Sequence, residues 1–189
     1  MHVIKIRNKA FSNLGFIKRS CIDFHNPNAL KTLYFSFIRS ILEYGSLIWT
    51  SASTNHLQSL DRVQNNFLRF ISFQCKINRI PHSNYEGLLQ YLNIKSLNTR
   101  RITCNLIFLF KLINNFIDCP ELLELINFKY PSRLTRTKQL FYIDNYKSRY
   151  LFFSPHALLM INGNMLNFEI DIFNCNLNTF KKSIHNNIL

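Results

Sequence analysis

The side-chain carboxylates of this 189-residue chain number ten, and they are scattered singly. Metal-dependent phosphoryl transfer needs carboxylates gathered tightly enough to hold two ions about 4 Å apart. Glu121 with Glu124 and Glu169 with Asp171 are close in sequence, but no two Asp residues are adjacent. Glu121 and Glu124 follow Pro120 and fit the first turn of a helix, where negative charge complements the helix dipole. Glu169 and Asp171 fall in a stretch without clear periodicity.

The other reactive residue types are equally dispersed. The six histidines (2, 25, 56, 82, 156, 185) form no HExxH pair, so a zinc-protease site is not signalled. No Gly-x-Ser-x-Gly elbow supports a nucleophilic serine, and the 4 glycines are too few for a phosphate-cradling or dinucleotide loop. The five cysteines (21, 75, 104, 119, 175) are odd in number and show no disulfide framework or zinc-finger spacing. They read as small buried hydrophobes in a reducing compartment. These residues point to no enzyme active on its own, and to no metal or other cofactor.

Binding has stronger signals. Lys and Arg total 23 against the ten acids, a net charge of +13, which suits a polyanion: nucleic acid or an anionic membrane surface. Twelve of the cations fall in three acid-free stretches. Lys5, Arg7, Lys9, Lys18 and Arg19 precede the first acid; Lys95, Arg100, Arg101 and Lys111 lie between Glu86 and Asp118; Arg133, Arg136 and Lys138 form the third. Arg62, Asn66 and Arg69 recur at helical spacing. They fit either successive phosphate contacts or a solvated face opposite a core. Arg100 and Arg101 stand near a helix start, where they bind phosphates or, for Arg101, pair with an acid across the bundle. Arg133, Arg136 and Lys138 beside Tyr130 and Phe141 mix cations with aromatics as single-strand binders do, or form an exposed loop.

The elements that would carry these residues are mostly helices. At this length folding buries roughly 70% of the unfolded surface, so no covalent staple is required. Val3, Ile6, Ala10, Leu14 and Ile17 repeat at helical spacing. Asn26-Pro27-Asn28 breaks the chain and caps a second stripe of Leu30, Leu33, Tyr34, Phe37, Ile38 and Ile41, with Gly45 marking its end or a kink. Leu60, Val63, Phe67 and Ile71 line a third helix. Ser83 with Glu86 has the pattern of a capping box, and a long helix is predicted over about 96–115. Beyond Phe128 the periodicity fails: Leu140–Ile143 and Tyr150–Phe153 fit short strands, while 155–161 and 177–188 fit short helices. No apolar run is long enough to span a bilayer: Leu106–Ile113, the most apolar stretch, is interrupted by Lys111. With a charged opening segment in place of a secretory signal, an intracellular location, nucleus or cytoplasm, is expected.

Several segments resemble, in order, the thumb-side part of a reverse transcriptase of the non-LTR retrotransposon (LINE, jockey-like) family. The run Leu33-Tyr34-Phe35-Ser36-Phe37-Ile38-Arg39-Ser40-Ile41-Leu42-Glu43-Tyr44-Gly45-Ser46-Leu47-Ile48-Trp49 is similar to that family's thumb signature. Asn8-Lys9-Ala10 with Leu14-Gly15-Phe16-Ile17-Lys18-Arg19 resembles the connector that leaves the palm. Leu60-Asp61-Arg62-Val63-Gln64 with Phe67-Leu68-Arg69-Phe70-Ile71 resembles the next helix. Tyr85 to Leu92, Ser96-Leu97 and Arg100-Arg101 match the following pair, and Ser154-Pro155 with Asp171-Ile172-Phe173 the closing tail.

The resemblance implies a mainly α fold: a connector helix over 1–20, a helical thumb-type bundle over 21–127, and a less regular C-terminal subdomain of short helices and short strands over 128–189. It implies a non-catalytic part of an RNA-directed DNA polymerase from a transposable element. Such a part holds an RNA–DNA or DNA template-primer duplex, and its partners are that nucleic acid and the palm and fingers of the parent polymerase. The Tyr-Ala-Asp-Asp catalytic motif would lie before Met1. The rival readings are a decayed reading frame without activity and an independent basic helical interaction protein, the latter marked by an exposed apolar strip beside its cations.

Overall fold

The computed structural model describes residues 2–49, 54–78, 84–130, 139–145, 148–166 and 170–187. The protein is mainly helical, and among the described residues there is no sheet. Two compact units divide it, Met1–Arg100 and Arg101–Leu189.

The first unit is built on α1 (His2–Ser20), which buries Val3, Ile6, Ala10, Leu14 and Ile17, the residues its periodicity marks. A second helix begins at Pro27 behind Asn26, whose side chain accepts from the Asn28 backbone N–H. It runs as α2 (Pro27–Tyr34), a π turn (Phe35–Arg39) and α3 (Ser40–Glu43). The π turn follows from the apolar spacing. Leu30, Tyr34, Ile38 and Leu42 are all buried and all four residues apart, a period longer than the 3.6 of an α-helix. A plain α-helix would carry this stripe progressively out of the core, and one widened turn brings it back. On the exposed side Thr32, Ser36 and Ser40 each donate to the carbonyl four residues earlier, at 2.9, 3.0 and 2.5 Å. Gly45, at φ +67°, then turns the chain into α4 (Ser46–Trp49), and the Trp49 indole N–H donates to the Tyr44 carbonyl.

α5 (Thr54–Gln74) packs against α1 and buries Leu60, Val63, Gln64, Phe67, Leu68 and Ile71. Gln64 earns its place in this core by serving two backbone groups: its Nε2 donates to the Lys95 carbonyl and its Oε1 accepts from the Leu97 N–H. α6 (Glu86–Tyr91) follows. Its N-cap is Tyr85, without a side-chain cap bond, and Glu86 accepts from Asn84 instead; Ser83, the other half of the predicted capping box, lies outside the described residues. α7 (Leu97–Ile113) starts at the end of this unit, with Leu97 in its core.

Three helices stop by one device without glycine. Lys76, Asn93 and Asn115 take positive φ after α5, α6 and α7. The next N–H then reaches back five residues, Ile77 to Ser72, Ile94 to Leu89 and Phe116 to Lys111.

The second unit centres on Leu109, Phe110, Phe141, Met160 and Phe180, all buried, with Phe110 and Phe180 stacked at 4.3 Å. After α7 come α8 (Pro120–Leu123), with Pro120 in its first turn as expected, then α9 (Arg149–Phe152), α10 (Pro155–Gly163) and α11 (Leu177–Asn187). The two strands predicted here do not form. Leu140–Ile143 contributes only a single antiparallel bridge, Phe141 to Phe128, and most of Tyr150–Phe153 is the helical turn α9. Aromatic runs favour strands when a neighbouring strand pairs with them. Here the Asn164 side chain satisfies both backbone groups of Phe141, and the Ser148 hydroxyl and carbonyl accept from Tyr150 and Phe152. A Cβ on Gly163 would stand 2.5 Å from the Phe141 ring, so the close approach of α10 to that ring requires glycine.

A candidate nucleic-acid interface on α5

α5 presents two faces. Opposite its buried stripe, Arg62 and Arg69 are exposed and Asn66 is partly exposed. The intervals of four and three residues place all three on one side of the helix, about one turn apart. The Arg69 guanidinium donates to the Tyr85 hydroxyl at 3.3 Å, which steadies it without neutralising it. Phe73, four residues beyond Arg69, continues the same face and is 84% exposed. Sequence reading missed this residue, because attention to the apolar stripe passes over an aromatic in phase with the arginines. Guanidinium and amide groups so arranged can follow phosphates, and an exposed ring beside them can stack on a base.

The remaining predicted residues are placed differently. Lys18 is half-buried with its ammonium 5.9 Å from the Phe70 ring centroid, so α1 lends a cation to the C-terminal half of α5. Arg19 is exposed and lies back along α1, its Nη1 3.4 Å from where a Cβ on Gly15 would stand. Arg100 is not offered to a ligand: it forks onto Glu43, with Nη2 to Oε2 at 2.7 Å and Nε bonded to Oε1. Arg39 adds a second cation to Glu43 at 3.9 Å, and its guanidinium lies 3.7 Å from the Phe35 ring centroid. Burial, then the neighbouring Arg100, lowers the pKa of Arg39 from its ordinary value. Arg101 is buried, only 4% exposed. Of Arg62, Arg69, Arg100 and Arg101, only Arg62 and Arg69 stand together on an exposed surface. Helical spacing defines a face, whereas the fate of residues at a helix start depends on what else packs there. Arg133, Arg136 and Lys138 lie outside the described residues.

Asp171 has a structural task. Asp171 accepts from the Phe173 and Asn174 backbone N–H groups and from the Asn174 side chain. The Asn174 side-chain bond and then the backbone bonds hold its carboxyl below the usual range. Glu169 lies outside the described residues, and Glu121 sits exposed on the first turn of α8. Among the described residues no group of three or more His, Cys, Asp or Glu converges as a metal site. Among the same residues no helix is long and apolar enough to cross a membrane. The cysteines are unpaired; burial pushes the Cys75 and Cys175 thiols up, while Cys104 is exposed, unlike the buried role anticipated for it.

No protein-family model matches the chain, and comparison with curated proteins and with solved structures gave no significant match.

Proposed function

We propose that this chain is a non-catalytic, thumb-type part of a non-LTR retrotransposon reverse transcriptase, holding a template-primer duplex through phosphate contacts. The observation that carries the reading is the exposed Arg62–Asn66–Arg69 face of a 21-residue helix whose other side is locked into a core. The ordered resemblance over Leu33–Trp49 and Leu60–Ile71 and the net charge of +13 support it. Partners on this reading are an RNA–DNA or DNA duplex and the palm and fingers of a polymerase, in the nucleus or cytoplasm.

The test is duplex binding by the purified chain across a salt series. Phosphate contacts release counterions, so log K should fall linearly with log salt. Arg62→Ala and Arg69→Ala should each flatten that slope by about 1 and weaken binding alike for every sequence. An affinity indifferent to salt rejects the reading.

A second reading, an independent basic helical interaction protein, is favoured by one observation. Phe16 is exposed on the same side of α1 as Lys5 and Lys9, an apolar surface beside cations.

A further inference from the structure

Within the first unit, the C-terminal half of α1 and the broken helix that follows it enclose a groove of about 600 Å³. Phe16, Ile17, Cys21, Phe24, Leu33 and Phe37 line it. Phe16 is 60% exposed and Phe37 51%, so both rings line the groove and still meet solvent. The far wall is fixed in place: the Asn13 amide donates to the Phe37 carbonyl at 2.8 Å, tying α1 to the π turn.

One wall of the groove runs on into charge. At 3.6 residues per turn, Lys5, Lys9 and Arg19 all lie within about 60° of Phe16 around α1. All three cations are exposed, and His2–Ser20 contains no acid.

We infer that this groove docks an amphipathic helix of another protein, one with large aliphatic or aromatic residues on one face and carboxylates beside them. Four alternatives for the occupant separate on chemistry. Bases carry polar edges, yet the hydroxyls lining the groove are those of Ser20 and Thr32, and Thr32 already donates to the Asn28 carbonyl. Insertion into a bilayer surface needs a continuous protruding apolar strip, whereas most of these side chains line a concavity. A second copy paired through the same face would bring the acid-free α1 cations against their own kind. An acidic amphipathic helix fills the hollow with side chains and matches the lysines, the helix-in-groove mode of recognition. This docking does not depend on the duplex reading, since it uses none of the α5 residues.

The probe is a fluorescein-labelled helical peptide with leucines on one face and glutamates flanking them; in its control, lysines replace the glutamates. Fluorescence anisotropy with the full chain should show binding of the glutamate peptide, weakened by added salt, and little binding of the control. Phe16→Ala combined with Phe37→Ala should weaken binding at least about tenfold, with circular dichroism confirming retained helix. If that variant loses helix, Lys5→Glu with Lys9→Glu, at exposed positions, should weaken the glutamate peptide by a similar factor and improve the control. No binding, equal binding of both peptides, or affinity unchanged in the folded variants overturns the proposal. The Phe16/Phe37 variant is also assayed on phosphatidylserine vesicles, on oligothymidylate and for self-association by sedimentation. A loss confined to one of these, with peptide binding intact, assigns the groove to that occupant and likewise overturns the proposal. Duplex binding through Arg62 and Arg69 is read in the same variants, so failure of one reading leaves the other distinguishable.

Discussion

Tyr34 is fully buried and its ring stacks on Phe67 with centroids 4.3 Å apart, so as an aromatic it is an ordinary core residue. Its hydroxyl is another matter, for among the described residues it has no hydrogen-bond partner. Gln64 is near enough to lower the hydroxyl's pKa, but its Nε2 and Oε1 bond Lys95 and Leu97 and form no hydrogen bond of ordinary geometry to Tyr34. Burial, and then the charge of Glu43, raises the hydroxyl's pKa well above its ordinary value. A buried polar group left unsatisfied costs about 1–3 kcal/mol, and removing it with its shape retained removes that cost. Tyr34→Phe should therefore leave stability unchanged or raise it by about 1 kcal/mol in urea unfolding; a clear loss would mean that the hydroxyl is bonded. The apolar stripe announced that Tyr34 is inward. That its oxygen would meet nothing could not be read there, because a side chain's partner comes from distant parts of the chain.

At the scale of elements, helix ends and faces were readable where the cause is local. Asn26-Pro27 starts α2, Pro120 starts α8, and the stripe of α1 faces the core as its spacing requires. The strands anticipated over 140–143 and 150–153 fail for the complementary reason: strand pairing comes from distant chain, and here it stops at one bridge to Phe128 while Ser148 caps a helical turn. The pairing of Glu43 with Arg100 likewise spans 57 residues and has no local signature. It joins α3 to the start of α7, with Arg39 as a third member. The side chains of Glu43 and Arg100 are 23% and 32% exposed, between the weak surface pair and the costly buried one. Glu43→Gln leaves two guanidinium groups facing each other and should destabilise by about 1–3 kcal/mol. Chemical denaturation checks this, and added salt should shrink the difference by screening the repulsion.

At the scale of the molecule, a net charge of +13 says that a polyanion or an acidic partner is favoured and says nothing about where it sits. The structure offers two separate surfaces in the first unit, the cationic face of α5 and the apolar groove of α1. If they act independently, Arg62→Ala with Arg69→Ala should lower duplex affinity and leave binding of the acidic peptide unchanged. Phe16→Ala with Phe37→Ala should do the reverse, both measured by anisotropy on the same preparations. Sites more than 7–10 Å apart with no shared partner usually add in this way, so a cross-effect would show that the two faces are coupled.

The sequence by itself determined that the chain is helical, which side of α1 and α5 is apolar, and that Arg62, Asn66 and Arg69 share the other side. These follow from the fixed angle between successive residues of a helix. Only the tertiary structure decided that Arg100 is consumed by Glu43, that Arg101 is buried, and that Phe16 and Phe37 border a hollow instead of filling one. Those outcomes depend on which surfaces meet across long stretches of chain, and periodicity along one helix carries no information about its neighbours.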